Sequence, residues 1–420
     1  MNIDTLHTAF LKSSGVSTDT RSLKKGSIFF ALKGENFNGN KYASQALEKG
    51  ASFSVIDDSN YKQDERYIVV KDSLKCLQEL AKYHRKKLSC PVIGITGTNG
   101  KTTTKELIFA TLSTSFKTTC TKGNLNNDIG VPLTILSTPL DAEMLIVEMG
   151  ANHMGEITFL CNIAQIDYGI ITNIGKAHLE GFGSHENIIK TKNELYQYVY
   201  ENNKKLFVNK NDKLLIELSQ NISREFYLDC QNVTNDDGLC YVMVDNHKIK
   251  TNLVGSYNKT NVAAAFTIAS YFDIDKKKIV DSLKKYKPSN NRSELRKTEV
   301  KNILTLDAYN ANPSSMSLSI DSFLETNKTN RWLILGDMLE LGDSSNLEHQ
   351  NIIDSLHKKN IKNVIIVGKE FGKCTHNYKH FNNVDLLSQW IIKNPITDSK
   401  ILLKGSRGIK LEQLEKNNLI

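Results

Sequence analysis

The sequence predicts an α/β protein of three domains, the central one built on a mostly parallel, doubly wound sheet. Three observations carry that expectation. At 420 residues the chain exceeds what one ordinary core organises. Short apolar, strand-like runs alternate with helical patterns along most of its length. Finally, Gly94-Ile95-Thr96-Gly97-Thr98-Asn99-Gly100-Lys101-Thr102-Thr103-Thr104 follows the apolar run Pro91-Val92-Ile93. A strand feeding a glycine-rich turn into a helix is a phosphate cradle.

The elements follow in order. Residues 27–32, 52–56 and 67–70 read as strands, with helical patterns at 43–49 and 74–87, which makes a small N-terminal α/β domain over 1–88. Strand runs at 144–149, 168–172 and 206–209 alternate with helices in a central domain over 89–287. A second strand-helix set, with strands at 303–307, 332–336, 364–368 and 401–404, fills 288–420. Pro288 beside Ser289-Asn290-Asn291 is the predicted hinge.

Composition narrows the class. A hydrophobic fraction of 40% fits a soluble protein, and the net charge of +8 is spread along the chain instead of forming a basic tail, which argues against a nucleic-acid partner. No leader-like start or apolar span long enough for a bilayer is evident, so a cytoplasmic enzyme without membrane insertion is expected. Seven cysteines at irregular spacing give neither a disulfide framework nor a metal pair, and read as reduced core residues.

The chemistry of the loop follows from its residue types. Gly97 and Gly100 expose backbone N–H groups, and with Thr98, Asn99 and Thr103 they wrap a polyphosphate. Lys101 adds a point charge, and the Thr102 hydroxyl can ligate Mg²⁺. The usual G-x-x-x-x-G-K-[ST] spacing is missed by one place, since Ile95 stands where glycine is usual and Gly94 precedes it. Asn209-Lys210-Asn211-Asp212 imitates the guanine-reading N-K-x-D of a GTP-driven switch. The D-x-x-G that such a switch also needs is missing, because the corresponding strand ends Glu148-Met149-Gly150.

Further candidates lie at strand ends, where open α/β sheets bind ligands. Glu148 is a candidate Mg²⁺ ligand, and the next strand is followed by Asn173, a candidate for the substrate, and by His178. Within the helix predicted at 186–200, Ile188, Lys192, Leu195 and Val199 recur at helical spacing, so a lysine occupies the apolar stripe. Burial would lower its pKa and leave a neutral amine able to add CO₂, giving a carbamate suited to a hard cation. The alternative is a lysine that snorkels its ammonium into water.

Several segments together resemble the Mur ligase family. They are Gly97-Thr98-Asn99-Gly100-Lys101-Thr102-Thr103, Glu148-Met149-Gly150, Thr172-Asn173-Ile174-Gly175 with Ala177-His178-Leu179-Glu180, and Asp307-Ala308-Tyr309-Asn310-Ala311-Asn312-Pro313. The last of these, with Gly336-Asp337-Met338-Leu339-Glu340-Leu341-Gly342, resembles the branch that joins D-alanyl-D-alanine to UDP-N-acetylmuramoyl-tripeptide. The resemblance implies an N-terminal UDP-sugar-binding domain, a central P-loop ATPase and a C-terminal Rossmann-like domain. It implies ATP, two Mg²⁺ ions, and a reaction that passes through an acyl phosphate.

Residue by residue, it implies that Lys101 steadies phosphates, that Thr102 and Glu148 hold one Mg²⁺, and that His178 with carbamylated Lys192 organises a second. The resemblance thereby favours the carbamate reading of Lys192. Gly255-Ser256-Tyr257-Asn258-Lys259-Thr260-Asn261 is similar to the family's nucleotide segment, with Tyr257 where histidine is common, and Asn258 offers its amide. Arg292 resembles the arginine that reaches the phosphates on closure, Asp307 the acid that takes the ribose hydroxyls, and Asn310 and Asn312 the lining of the dipeptide pocket. Thr18, Asp19 and Arg21, with the loop 34–40, resemble the uridine-diphosphate loops, although Asn38 and Asn40 replace the more usual Asp and His. Leu403-Lys404-Gly405-Ser406-Arg407-Gly408 either supplies cations for the dipeptide carboxylate or forms a solvated turn. A monomer is expected. The alternatives are a ligase of the same family adding a single amino acid, a folate-polyglutamylating relative, or the GTP switch.

Overall fold

The computed structural model describes residues 2–177, 179–233, 238–288, 292–325 and 330–420. Three α/β units follow one another along the chain, each on its own sheet. The first sheet has the order Val16–Ser17, Ile28–Phe30, Phe53–Ile56, Tyr67–Val69, all parallel. The helix Ser73–Arg85 covers it, capped by the Asp72 side chain accepting from the N–H of Lys75.

The central sheet runs Arg224–Phe226, Lys205–Val208, Tyr168–Ile171, Val92–Thr96, Met144–Glu148, Thr118–Cys120, again all parallel. Val92–Thr96 and Met144–Glu148 are buried at every residue, as continuous apolar strands covered on both faces should be. Two cores flank this sheet. One joins it to the N-terminal unit through Leu77, Leu80 and Val92, and the other packs the helix Lys101–Leu112 against Lys259–Tyr271.

The third sheet runs Glu294–Lys297, Ile303–Asp307, Lys400–Lys404, Arg331–Gly336, Val364–Val367, Lys379–Phe381, parallel apart from its first pair. The fold class read from sequence is therefore the one observed. What the sequence reading passed over is antiparallel. Cys230–Asn232, Leu239–Val244 and His247–Val254 form a separate three-stranded sheet in the central region. The alternating burial of Leu239–Val244 and the turn at Asp245 and Asn246, both with positive φ, mark a tight hairpin. The predicted hinge at Pro288 borders residues 289–291, which lie outside the described residues. All seven cysteines are free, but Cys76, Cys120 and Cys230 are only half-buried, so the expectation of core residues holds for four.

Candidate active site

The carboxyl ends of the central strands open into a cavity of about 1010 Å³, closed on its far side by the C-terminal unit. Its lining brings together Thr98, Asn99, Gly100, Lys101, Thr102, Thr103, Glu148, Asn173, Asn258, Arg292, Asp307, Asn310 and Asn312, which the sequence had singled out from segments far apart. His178 lies outside the described residues. Thr18, Asp19 and Arg21 do not line this cavity. They sit on the N-terminal unit, where the Arg21 guanidinium, hydrogen-bonded to Asp19 at 2.7 Å, holds that carboxyl down at about 2.

The phosphate loop is built by backbone strain and cross-strand stitching. Gly97 has φ +140°, and a Cβ there would stand 2.0 Å from Thr172 Oγ1; Gly100 opens the helix at φ +79°. Asn173 grips the loop with both ends of its amide, since Oδ1 accepts from the N–H of Asn99 at 3.0 Å and Nδ2 donates to its carbonyl at 2.9 Å. Asn173, expected at the substrate, thus shapes the loop. Lys101 Nζ donates to the carbonyls of Gly97 at 2.7 Å and Thr98 at 3.1 Å, folded back over its own loop. Burial lowers its pKa, the Glu148 charge opposes that, and Arg292 adds to it.

Glu148 ends its strand opposite Ile95. Its Oε1 accepts from Asn126 Nδ2 at 2.8 Å, whereas Oε2 is buried without a hydrogen bond, 3.4 Å from the ammonium of Lys105. An anionic oxygen buried with an open lone pair suits a hard cation. No cluster of three or more His, Cys, Asp or Glu that could hold a metal occurs among the described residues, so any Mg²⁺ here would draw its other ligands from hydroxyls, water and phosphates. Asn126 and Lys105 were both missed in the sequence. Lys105, Ile108 and Leu112 share the helical spacing that drew notice to Lys192, so a test of every lysine for stripe position would have found Lys105.

Lys192 stands on the helix His185–Glu201 and is 3% exposed, so the snorkelling reading fails. Burial, with the like charge of Lys101, brings its pKa down to about 7. Its ammonium lies 5.5 Å from the centre of the Phe182 ring and makes no ion pair among the described residues.

Asn258 is more enclosed than its sequence motif implied. Its Nδ2 donates to the Val254 carbonyl and its Oδ1 accepts from Asn261, both at 2.8 Å, while Asn261 takes the Thr104 hydroxyl at 3.1 Å. This chain ties the segment to the helix behind the phosphate loop. The Tyr257 hydroxyl meets Ser293 Oγ at 2.9 Å.

From the C-terminal unit, Asp307 accepts from Lys404 at 2.7 Å and Ser319 at 2.8 Å. Burial raises its pKa, but the Lys404 charge, these hydrogen bonds and the Arg292 charge carry it below the ordinary value. Lys404, 3% exposed, also donates to the Asn310 carbonyl at 2.9 Å, which removes the solvated-turn reading at that residue. Arg292 stacks 3.8 Å from the Tyr309 ring centre. Asn310 turns its own Oδ1 to the N–H of Ala311. Asn312 reaches across the seam, with Nδ2 donating to Asn99 Oδ1 at 2.8 Å. Lys176 and Glu348 form a second cross-seam contact at 2.8 Å. Asn209 and Asp212, the guanine imitation, also line the cavity, but the Asp212 carboxylate caps a helix through the N–H of Leu215.

Comparison with known proteins gives three family matches in chain order. Residues 12–85 match "Mur ligase family, catalytic domain", 95–269 match "Mur ligase middle domain", and 291–407 match "Mur ligase, glutamate ligase domain". The chain is 34% identical to the UDP-N-acetylmuramoyl-tripeptide--D-alanyl-D-alanine ligase of Bacillus subtilis, over 96% of this chain and 92% of that one. To the enzyme of the same name from Haemophilus influenzae it is 32% identical, over 95% and 92%. Among solved structures, MurF from Acinetobacter baumannii superposes with a TM-score of 0.84 at 26% identity, covering 100% of this chain and 98% of that one. The MurF ligase from Thermotoga maritima in complex with ADP gives 0.84 at 25%, covering 98% of each.

Proposed function

Because this chain belongs to the Mur ligase family, we propose that its cavity joins D-alanyl-D-alanine to the terminal carboxylate of UDP-N-acetylmuramoyl-tripeptide at the expense of ATP. The observation that carries this reading is the contact between Asn312 and Asn99. It brings the segment assigned to the dipeptide against the loop assigned to the triphosphate, as two half-reactions on one carbonyl require.

A carboxylate is a poor electrophile at neutral pH. Its oxygen therefore attacks the γ-phosphorus of ATP, the bond to the β-phosphate oxygen breaks, and ADP leaves an acyl phosphate. The neutral dipeptide amine then adds to the acyl carbon, inorganic phosphate departs with the bonding pair, and the amine proton passes to solvent. In the first step Lys101 swings from the Gly97 and Thr98 carbonyls to the phosphates, where its charge offsets what develops. Asn173 keeps the loop amides aimed during that step. Arg292 and Asp307, which line the cavity, take the nucleotide's phosphates and ribose in this reading, and Asn310 and Asn312, which line it too, take the dipeptide.

Thr102 and Glu148 would hold one Mg²⁺, and Lys192 with His178 a second. When bound, these ions lower the repulsion between the phosphates and the incoming carboxylate. Lys192 fits that part as a carbamate: its neutral amine adds to the carbon of CO₂, loses a proton and becomes an anionic oxygen donor. Thr18, Asp19 and Arg21 take the uridine diphosphate on the N-terminal unit. The protein acts in the cytoplasm, where ATP and the nucleotide sugar are found, and no helix among the described residues is long and apolar enough to cross a membrane.

Phosphate release and product mass, measured with ATP, UDP-N-acetylmuramoyl-tripeptide and either D-alanyl-D-alanine or a single amino acid, test the reading. Pentapeptide product is expected with the dipeptide alone. Efficient ligation of glutamate, lysine or diaminopimelate with the dipeptide inert would refute it.

A further inference from the structure

The helix that starts at the phosphate loop carries two lysines one turn apart, Lys101 and Lys105, and both act on the single carboxylate of Glu148. Lys101 has a use in the reaction above. Lys105 has none: it is 1% exposed, sits behind the loop, and places its ammonium 3.4 Å from Glu148 Oε2 and 3.4 Å from the Gly123 carbonyl. A lysine is rarely enclosed so completely without a partner that justifies its charge, and here the partner is the carboxylate assigned to the metal. Glu148 is meanwhile held in direction by Asn126 on Oε1 and by the Thr121 hydroxyl on its backbone N–H.

We propose that Lys105 is a positioning residue that keeps Glu148 charge-compensated before nucleotide arrives, so that the divalent cation enters on the nucleotide's phosphates and not alone. This rests on Glu148 being a metal ligand. The reasoning is electrostatic. Two ammonium groups against one carboxylate leave the loop net positive, which repels a free dication and attracts a polyphosphate. A carboxylate in a site where no cluster of three or more His, Cys, Asp or Glu occurs among the described residues gives a bare Mg²⁺ little to hold. Once the phosphates are present their charge outweighs Lys105, and Glu148 Oε2 still has a lone pair to give.

The test uses Mn²⁺ as the probe, followed by its electron paramagnetic resonance signal in the full-length protein with and without a non-hydrolysable ATP analogue. Lys105→Met preserves length and apolar stem while Asn126 still aims Glu148, so charge is the variable. Without nucleotide, Lys105→Met is expected to bind Mn²⁺ at least about tenfold more tightly than the unaltered protein, and with the analogue the two should agree within about threefold. Lys105→Arg keeps the cation and should follow the unaltered protein. If Lys105→Met fails to fold, Lys105→Gln, which keeps a donor for the Gly123 carbonyl without the charge, carries the same comparison. Equal nucleotide-free affinity in the charged and uncharged proteins, or Lys105→Arg behaving as Lys105→Met, overturns the proposal. Glu148→Gln separates the premise: unchanged Mn²⁺ binding with the analogue would remove Glu148 as a ligand, whatever Lys105 does.

Discussion

Two helices of the central region each carry a lysine that the core has closed over, and they differ in one neighbour. On Lys101–Leu112, Lys105 faces a carboxylate; on His185–Glu201, Lys192 faces an aromatic ring and another cation. Exposure is almost the same, 1% and 3%. Burial alone therefore does not determine what a lysine is chemically. Burial beside another cation pushes the Lys192 ammonium towards the neutral amine, the nucleophilic form.

The largest expected effect comes from removing the unpaired member. Lys192→Ala should lower the rate of product formation by roughly a thousandfold, about 4 kcal/mol. Acetate or formate should restore part of it by placing a carboxylate in the vacated space. Lys192→Arg should not be restored, because guanidinium fills the site and stays charged. An active enzyme whose Lys192 carries no added mass would erase the contrast between the two lysines.

Breaking the pair should show up in stability instead. Glu148→Gln leaves Lys105 enclosed without its counter-charge, and a loss of about 3 kcal/mol in urea unfolding at pH 7 is expected. A loss below about 0.5 kcal/mol would mean that the pair is as weak as a surface one and that Lys105 needs no partner.

The pH dependence sharpens the difference further. The folded-state pKa of Lys192 is depressed to about 7 from 10.5, so between those values the unfolded chain binds more protons than the native one. Stability is thus fully present above the unfolded value and is lost as pH falls towards 7, with a slope of up to about 1.4 kcal/mol per pH unit. Lys192→Met, measured in CO₂-free buffer, should flatten that window. A slope equal in both proteins would show that Lys192 is charged in the fold after all.

The smallest effect belongs to the seam, where neither lysine is touched. Asn312→Ala removes the hydrogen bond to Asn99 and the one its Oδ1 accepts from the N–H of Ser315, and should slow amide formation by roughly tenfold, about 1.4 kcal/mol, with nucleotide affinity changed by less than about twofold. If nucleotide affinity falls as far as the rate does, the contact shapes the empty loop rather than the closed reaction site.

How much of this could be read beforehand varies with the range of the signal. The parallel strands and their helices were legible because apolar runs and helical spacing repeat within a few residues, and the phosphate loop because its glycines and lysine are contiguous. The antiparallel sheet at 230–254 escaped although Leu239–Val244 alternates and Asp245-Asn246 marks its turn. Its first strand, Cys230–Asn232, has three residues of which two are polar, too short to show a period of its own. Lys192 was found by its place on a stripe. Lys105 obeyed the same rule but stood beside a lysine that already had a role.

By itself the sequence determined the fold class, the phosphate loop and the set of polar residues from which a site is made, since each depends on neighbours in the chain. Only the tertiary structure decided what each polar group does. It turned Asn173 and Asn258 inward to brace the loop, sent Asn312 across the seam to Asn99, and gave Lys105 an ion pair with a carboxylate while Lys192 has none among the described residues. The physical reason is that periodicity is a property of the backbone over a few residues. Charge state and hydrogen-bond partner depend on groups brought within about 4 Å by packing, and the chain places those groups far apart.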